Sequence, residues 1–444
     1  MNEKELESMR NSFKRVFDKR KKNLDNPQTK KLQERVIAIR KEAIEKNSQF
    51  LEIAKESFNT NDIDFAFAKD DTEAKEIIFN IIEENINEAD LNLIKKNRNK
   101  VDSDIIEENR NKVDSNIIEE NNKMDSIIIA KSKSNTLGEI GLSSFFKSKK
   151  IEYVETDLGD RILQLKGKDN KPTLPTGPAS HLNVEEIAKI VNDSMNENVA
   201  PIPKDIMELV REDVLAKISK SDIGISGANA VACEEGSLVF VHNEGNISLI
   251  SLMKTHIVVV GIDKFVRTIE DAISIAKLET IYATGTKVTS YINVVSGPSK
   301  TADIEKKLIK NMYGAERVFV IILDNGRSKA IEYIDDPLLC IGCGSCIVTC
   351  PVYNIIGNEF GFNNYLGGRG VAMSKFIKDS KTSFDSGLYK CTLCGLCTVN
   401  CPVAIETNEI IEKIRGDSQK EGYYLKKHEE YKDNIKNRGS PFDN

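Results

Sequence analysis

The sequence lacks any long hydrophobic run. None of its segments approaches the roughly 18 consecutive apolar residues of a membrane-spanning helix. Its first residues, MNEKELESMRNSFKRVF, also lack the apolar stretch of a secretory signal. We therefore expect a cytoplasmic protein with no transmembrane segment. In a reducing compartment, clustered cysteines serve as metal ligands or catalytic groups more often than as disulfides.

The motifs of several enzyme classes are also absent. No G-x-G-x-x-G follows a predicted strand and no Walker loop occurs, so a Rossmann-type nicotinamide or flavin site is not supported. No G-x-S-x-G elbow or zincin motif supports hydrolysis. Only four histidines occur, and they show no metal-binding spacing. The formal net charge of -6 argues against nucleic-acid binding.

Cysteine is scarce, yet eight of the nine cysteines fall in two short runs. CIGCGSCIVTCP (340–351) and CTLCGLCTVNCP (391–402) share the spacing C-x2-C-x2-C-x3-C-P. In such paired arrays three cysteines of each run bind one cluster, and the fourth crosses to the other. The spacing therefore predicts two [4Fe-4S] clusters. Their ligands are a first cysteine set, Cys340, Cys343, Cys346 and Cys401, and a second cysteine set, Cys391, Cys394, Cys397 and Cys350.

Structural zinc is the alternative for C-x2-C pairs. Zinc takes four tetrahedral ligands, which gives no role to the third cysteine of each triplet or to the Cys-Pro ending. The iron–sulfur interpretation is therefore favoured. Gly342, Gly344 and Gly395 are expected to let backbone amides approach cluster sulfur. The isolated Cys233, between apolar residues and EEGS, is expected to be a buried structural thiol.

The rest of the chain changes from helical periodicity to alternating strands and helices. Residues 1–60 predict two helices, broken near Asn26-Pro27. Residues 61–332 predict an α/β domain with a largely parallel sheet. We expect a separate cluster-binding module over 333–415 and an extended charged tail over 416–444. The predicted strands are DFAFA (64–68), SIIIA (126–130), IEYVE (151–155), SLVFV (237–241), HIVVVG (256–261), YINVV (291–295) and RVFVIIL (317–323).

An internal repeat interrupts the α/β domain. NRNKVDSDIIEE (97–108) is followed directly by NRNKVDSNIIEE (109–120). A step of twelve residues rotates a helix by about 120° per copy, so the paired isoleucines form no continuous stripe. We interpret the repeat, over 95–125, as a surface insertion rather than a packed solenoid.

Polar groups follow several predicted strands between residues 224 and 265. Groups at the strand ends of an open α/β sheet often form a ligand crevice. The candidates for binding an anionic ligand are Asn229, Asn243, Glu244, Lys254 and His256. A hydrogen-bonded structural histidine is the alternative for the last of these.

Eight short segments occur in this order along the chain: KSKS (131–134), EIGL (139–142), ETDLGD (155–160), EEGS, NEGN, KTHI, SGPSKTADIE (296–305) and DNGR (324–327). With the two cysteine runs that follow them, they resemble the signature segments of the lactate-utilisation iron–sulfur protein family, in which a LUD domain precedes a double ferredoxin-type module. The resemblance covers roughly residues 60–415. It implies a NagB/RpiA/CoA transferase-like α/β fold for the LUD domain, an N-terminal helical segment and a mostly α-helical ferredoxin-type C-terminal domain with two [4Fe-4S] clusters.

The resemblance also implies a function. It implies a non-catalytic or co-catalytic electron-transfer subunit of a complex that oxidises L-lactate or another 2-hydroxy acid. Its implied partners are a CCG-type cysteine-rich subunit, a second LUD-domain protein and an external electron carrier.

The chain departs from the family in two places. These are the repeat and the ending RGSPFDN, which resembles the linker into CCG modules of heterodisulfide-reductase-like subunits. The alternatives are an electron-wiring subunit of such a complex, a LUD-domain ligand-binding enzyme with redox-sensing clusters, and a structural adaptor.

Overall fold

The computed structural model describes residues 1–98, 128–167 and 171–442, so most of the predicted repeat insertion lies outside the described residues. The helices are α1 (Glu3–Leu24), α2 (Pro27–Glu45), α3 (Asn47–Thr60), α4 (Asp71–Arg98), α5 (Asn135–Glu139), α6 (Leu142–Ser148), α7 (Leu158–Lys166), α8 (Val184–Met195), α9 (Pro203–Ile218), α10 (Asn246–Ile250), α11 (Ile269–Thr284), α12 (Arg327–Tyr333), α13 (Ser345–Val348), α14 (Tyr353–Ile356), α15 (Gly367–Ile377), α16 (Ser380–Asp385), α17 (Leu396–Val399), α18 (Thr407–Lys420) and α19 (Lys426–Arg438). The strands are β1 (Ile63–Ala68), β2 (Ile128–Lys131), β3 (Glu152–Glu155), β4 (Ile223–Gly227), β5 (Ala230–Ala232), β6 (Ser237–His242), β7 (Thr255–Gly261), β8 (Phe265–Val266), β9 (Tyr291–Val295), β10 (Lys300–Thr301), β11 (Ile309–Lys310), β12 (Arg317–Leu323), β13 (Gly361–Phe362) and β14 (Tyr365–Leu366).

A parallel six-stranded sheet forms the centre of the α/β domain. Its strand order is β1-β12-β7-β4-β2-β3, and every neighbouring pair is parallel. All seven residues of β7 are buried, as expected for a central strand covered on both faces. From β2 the chain places β3 on one side and β4 on the other, so the direction of winding reverses there. The predicted largely parallel α/β sheet is confirmed.

Two of the predicted strands belong to a different sheet. SLVFV and YINVV form β6 and β9, which pair antiparallel in a second sheet of order β8-β5-β6-β9. Both segments have the composition of buried strands, and composition does not show which strands become neighbours. The second sheet packs against α11 and shares the main hydrophobic core with the N-terminal helices.

The N-terminal segment contains three helices, where the sequence predicted two. Asn26 caps α2, with Pro27 at its first position, so the predicted break is confirmed. The second predicted helix divides at Lys46, where α2 ends and α3 begins. The buried Asn47 side chain donates a hydrogen bond to the Ile262 carbonyl oxygen at 2.7 Å. This tertiary contact fixes the turn, which helical periodicity alone did not reveal.

The C-terminal part is mostly helical, and the prediction of an extended tail is wrong over Lys426–Arg438, which forms α19. None of its residues is buried, and the segment has few apolar residues at helical spacing. The apolar periodicity that indicates a helix is therefore missing from this part of the sequence. Its sequence, KKHEEYKDNIKNR, is nevertheless rich in helix-forming Lys and Glu. The helix ends at Gly439, whose φ of 72° is left-handed, as is usual after a helix C-terminus.

A buried charge network joins the sheet to the C-terminal module. Arg327, at the start of α12, donates from both terminal nitrogens to the Glu139 carboxylate at 2.9 and 2.7 Å, and its Nε donates to Asp263. It also donates to the hydroxyl of Tyr365 in β14 at 3.1 Å. Gly326 has a φ of 85°, and a side chain there would collide with the Phe376 carbonyl oxygen. The DNGR turn is therefore built to hold Arg327 in place.

We expect Arg327→Met to lower the free energy of unfolding by about 3–5 kcal/mol, because it leaves the buried Glu139 carboxylate without a counter-charge and removes one of the cations beside Asp263. Arg317→Met is the matched control. Its exposed pairs with Asp64 and Glu84 should contribute at most about 1 kcal/mol. Urea unfolding of both variants under anaerobic conditions measures the difference, and equal losses would contradict the structural importance of the network.

Candidate functional site: a crevice that ends at the first cysteine run

A crevice of about 460 Å³ opens at the carboxyl ends of the parallel strands. It lies where β2 and β4 are neighbours and the direction of winding reverses, which is the usual ligand position in an open α/β sheet. Its volume suits a small ligand. One wall is made by strand-end residues of the LUD region and the other by the C-terminal module. The chemically important lining residues are Lys133, Asp157, Lys264, Glu279, Arg369 and Cys340.

Three of the predicted ligand residues line this crevice: Asn229, Asn243 and Glu244. Asn229 is held rigidly, because its Nδ2 donates to Glu279 at 2.9 Å and its Oδ1 accepts from the Val241 amide at 2.9 Å. The Oδ1 of Asn243 accepts hydrogen bonds from the hydroxyl of Thr289 and the amide of Ser290. Glu244 accepts from the Leu158 amide at 3.0 Å.

The structure does not bring the other two predicted residues, Lys254 and His256, to the crevice. Both lie at the amino end of β7, whereas the crevice is at the carboxyl ends of the strands. His256 is fully buried, its Nε2 lies 2.8 Å from the Ser226 hydroxyl, and burial lowers its pKa to about 4. It has the geometry of a structural histidine. The prediction that all five residues share one site is therefore wrong, because Lys254 and His256 lie at the amino end of β7 and the crevice lies at the carboxyl ends of the parallel strands.

Two lysine–carboxylate pairs follow β2 and β3 at the sheet edge. The buried Lys131 lies 2.8 Å from both Glu155 carboxylate oxygens, and Lys133 lies 2.7 Å from Asp157 Oδ2. Burial raises the pKa of the neighbouring Asp160 to about 7, and the charges of Glu155 and Asp157 add to the shift. These residues belong to the segments KSKS and ETDLGD, which lie at the ends of two predicted strands. Charged residues at that position in the sequence could have identified them as candidate site residues.

Glu279 and Arg369 stand where the crevice meets the first cysteine run. Burial raises the pKa of Glu279 to about 7, against the opposing hydrogen bond from Asn229. Arg369 donates from Nε to the Pro337 carbonyl oxygen at 2.9 Å and lies over the Tyr365 ring. Within the described residues its two terminal nitrogens have no hydrogen-bond partner. Both residues lie inside helices and carried no sequence signal.

The two cysteine runs have similar local structures. Each run begins after a short 3-10 turn, Asp336–Leu339 or Leu388–Lys390, and continues through a loop into the four-residue helix α13 or α17. The Gly342 amide lies 3.3 Å from Cys340 Sγ, as expected for an amide that donates to a ligand sulfur. Gly342, Gly344 and Gly395 all have positive φ. Leu393 takes the position of Gly342 in the second run, with a φ of 55°.

The fourth cysteine of each run lies beside the other run. Burial raises the pKa of Cys343, and the neighbouring Cys340 and Cys401 thiols raise it further. Burial raises the pKa of Cys350 to about 11, with added contributions from Cys397 and Cys391. A small cavity lies among Cys350, Cys391, Cys394 and Cys397, with Cys346 at its edge. Cys401 thus lies near Cys340 and Cys343, and Cys350 lies near Cys391 and Cys397.

A fully buried arginine with unsatisfied donors also lies next to the first cysteine set. Arg20 of α1 donates from Nη1 to the Ser345 hydroxyl at 2.8 Å, but its Nε and Nη2 have no partner. A buried unpaired guanidinium is costly unless an anion lies nearby. Iron–sulfur clusters with thiolate ligands carry negative charge, so these residues fit such a group.

Cys233 is fully buried, and burial raises its pKa far above the usual range, in agreement with a structural thiol. Among the described residues, no three His, Cys, Asp or Glu side chains converge closely enough to hold a single metal ion. A cubane is bound differently, because each thiolate bonds a different iron. Across the same residues, no helix is long and apolar enough to cross a membrane.

The fold and site define an α/β protein whose sheet-edge crevice ends at a ferredoxin-type cysteine module. The family model of the LUD domain matches residues 51–323, and the chain belongs to this family. The model of the 4Fe-4S dicluster domain matches residues 338–405, a range that contains all eight clustered cysteines. The resemblance stated from the sequence is therefore confirmed.

Several similar proteins are named Lactate utilization protein B. The protein of that name from Geobacillus thermodenitrificans is 35% identical over 289 residues, which are 65% of this chain and 59% of that protein. The one from Bacillus subtilis is 33% identical over 297 residues, 66% of this chain and 60% of that protein. The matched part of the chain thus spans about three fifths of the length of these relatives.

A solved structure of a DUF162 family protein from Deinococcus radiodurans covers 45% of this chain and 90% of its own, at 14% identity and a TM-score of 0.19. That score is too low to support a structural comparison.

Proposed function

We propose that the chain is an iron–sulfur electron-transfer protein of lactate utilisation, with one [4Fe-4S] cluster on each cysteine set. The observation that carries this proposal is that the fourth cysteine of each run lies beside the other run, next to a ligand-sized crevice. When bound, such clusters supply reversible one-electron transfer. The chain's own residues would hold the two clusters close together, because Cys350 and Cys401 would each bind the cluster of the other run.

The two cysteine sets differ in their surroundings. The first set borders the crevice through Cys340. The second set lies nearer the surface, with Cys394 exposed and the neighbouring Val399 82% exposed. We infer that the crevice side exchanges electrons with a bound reactant or its redox partner, and that the exposed side exchanges them with another protein or carrier.

We infer L-lactate or a related 2-hydroxy acid as the electron source, from the names of the similar proteins. Its oxidation releases two electrons, and two clusters can hold two. Clusters of this kind accept single electrons and not hydride. A partner must therefore take the hydride from the substrate and pass its two electrons on without the proton. A CCG-type cysteine-rich subunit and a second LUD-domain protein are the proposed partners, and the complex is proposed to be cytoplasmic.

The crossed ligand sets predict which cysteine variants resemble one another. We expect about eight irons per chain after anaerobic reconstitution. Cys401→Ala should perturb the same cluster as Cys343→Ala, while Cys350→Ala should perturb the same cluster as Cys394→Ala. EPR spectra of the cluster that remains intact, with iron analysis, identify the matching pairs.

Cys233→Ala is the matched control and should retain the full iron content, because this thiol lies apart from both sets. A match of Cys401→Ala with Cys394→Ala would instead show that each run binds its own cluster. Zinc in place of iron in anaerobically purified protein would refute the cluster assignment altogether.

Substrate-dependent reduction tests the source of the electrons. We expect the complex purified anaerobically from its native cell to reduce a dye with L-lactate or glycolate, and EPR to show reduced clusters. Thiol–disulfide substrates provide the comparison, since a heterodisulfide-reductase-like wiring subunit would respond to those instead. Activity with thiols alone would replace the lactate proposal with that alternative.

A ligand-binding role for the LUD region is the second candidate, and the crevice itself favours it. Arg369 and Lys264 both line the crevice, the two terminal nitrogens of Arg369 have no hydrogen-bond partner among the described residues, and a guanidinium fork matches a carboxylate. We expect Arg369→Gln to weaken binding of L-lactate or pyruvate to the cluster-loaded protein by about tenfold or more, as loss of a charged hydrogen bond implies. Isothermal titration calorimetry measures the affinity.

Arg267→Gln is the control for this experiment. Its guanidinium pairs with Glu42 on the surface, outside the crevice lining, so its loss should leave the affinity unchanged. If Arg369→Gln binds as tightly as the parent and as Arg267→Gln, the crevice is not the carboxylate site.

A further inference from the structure

Arg20 is the most unusual charged residue in the described parts of the chain. It lies near the end of α1, far in sequence from the cysteines, and is 0% exposed. An arginine carries five N–H donors, and among the described residues only Nη1 has a hydrogen-bond partner, the hydroxyl of Ser345. Nε and Nη2 are buried without a hydrogen-bond partner there, and the Phe17 ring centroid lies 5.0 Å from the guanidinium carbon. Leaving such donors unsatisfied costs free energy, so a further group must receive them.

No carboxylate among the described residues pairs with Arg20. Burial lowers its pKa, and the ionisable groups that act against this shift are Cys343, Tyr282 and Cys346. Two of these belong to the first cysteine set. The Ser345 hydroxyl that accepts from Arg20 in turn donates to the Asn400 carbonyl oxygen at 2.8 Å, one residue before Cys401. The guanidinium is therefore fixed between the two parts of the chain that supply the first set.

Arg20 differs in its partners from Arg40, another buried arginine. Arg40 is also buried, but it donates to the carbonyl oxygens of Leu338, Leu339 and Asp263. It also lies near the carboxylate of Asp263. Arg40 thus has a buried carboxylate beside it, whereas Arg20 has none among the described residues.

A [4Fe-4S] cluster on the first set would supply the negative charge that Arg20 lacks among its protein partners. Counting its thiolates, such a cluster is negatively charged and becomes more negative on reduction. A fixed positive charge beside it in a low-dielectric region stabilises the reduced form more than the oxidised form. Its effect is therefore a higher reduction potential for the first cluster.

We propose that Arg20 is a positioning residue for the first cluster, whose buried guanidinium compensates the charge of that cluster and raises its reduction potential. This inference rests on the proposed cluster at the first cysteine set. It gives the N-terminal helix α1 a role in electron transfer, although α1 contains none of the cysteines.

The test is an EPR-monitored redox titration of the full chain, purified anaerobically with its clusters. We expect Arg20→Gln to shift the midpoint potential of one cluster to a lower value and to leave the other unchanged. The shifted signal should be the one perturbed in Cys343→Ala. Arg20→Lys keeps the charge and should retain a potential between those of the parent and Arg20→Gln.

Arg15→Gln is the matched control, because it removes a positive charge from an exposed position of the same helix, where solvent screens it. Unchanged potentials in an Arg20→Gln protein with full iron content would overturn the inference while leaving the clusters established. Equal shifts in Arg15→Gln and Arg20→Gln would also overturn it. Loss of the first cluster in Arg20→Gln but not in Arg20→Lys would support the charge requirement. Absence of iron from the parent would refute both this inference and the proposed function.

Discussion

The buried charge network around Arg327 is the constraint on which the site depends. Arg327 follows β12, Glu139 follows β2 and Asp263 follows β7, so one guanidinium ties together the carboxyl ends of three parallel strands. Tyr365 brings the C-terminal module into the same network. The strand ends form one wall of the crevice and the module forms the other. Holding the two walls together places Cys340, a member of the first cysteine set, at the crevice.

Positive charge surrounds the first cysteine set more closely than the second. Arg20 and Arg369 approach it from α1 and α15, and Lys264 donates to the Cys340 carbonyl oxygen at 2.8 Å. The second set lies nearer the surface, and its neighbouring arginine, Arg415, donates to the carbonyl oxygen of Cys391. Burial and charge both set cluster potentials. Two nearly identical sequence runs are thereby placed in different electrostatic surroundings.

The sequence predicted where strands occur better than which strands pair with each other. Each of the seven predicted segments forms a strand over its described residues, because strands have a composition that can be recognised locally. SLVFV and YINVV nevertheless belong to the second, antiparallel sheet. In the same way, Lys254 and His256 look like strand-end groups in the sequence, but they lie at the wrong end of β7. The residues that meet at the crevice depend on which strand ends are neighbours, and no local pattern contains that information.

By itself, the sequence determined the chemistry of the cysteine runs and the class of the α/β domain. The spacing of thiols within eleven residues and the alternation of strands with helices are local properties of the sequence. They can therefore be recognised without knowing how the chain packs. Only the tertiary structure decided that the crevice ends at Cys340, that Arg369 enters it, and that Arg20 lies buried beside the first cysteine set. Arg20 and Ser345 are 325 positions apart, and only packing of α1 against the cysteine module brings their side chains together.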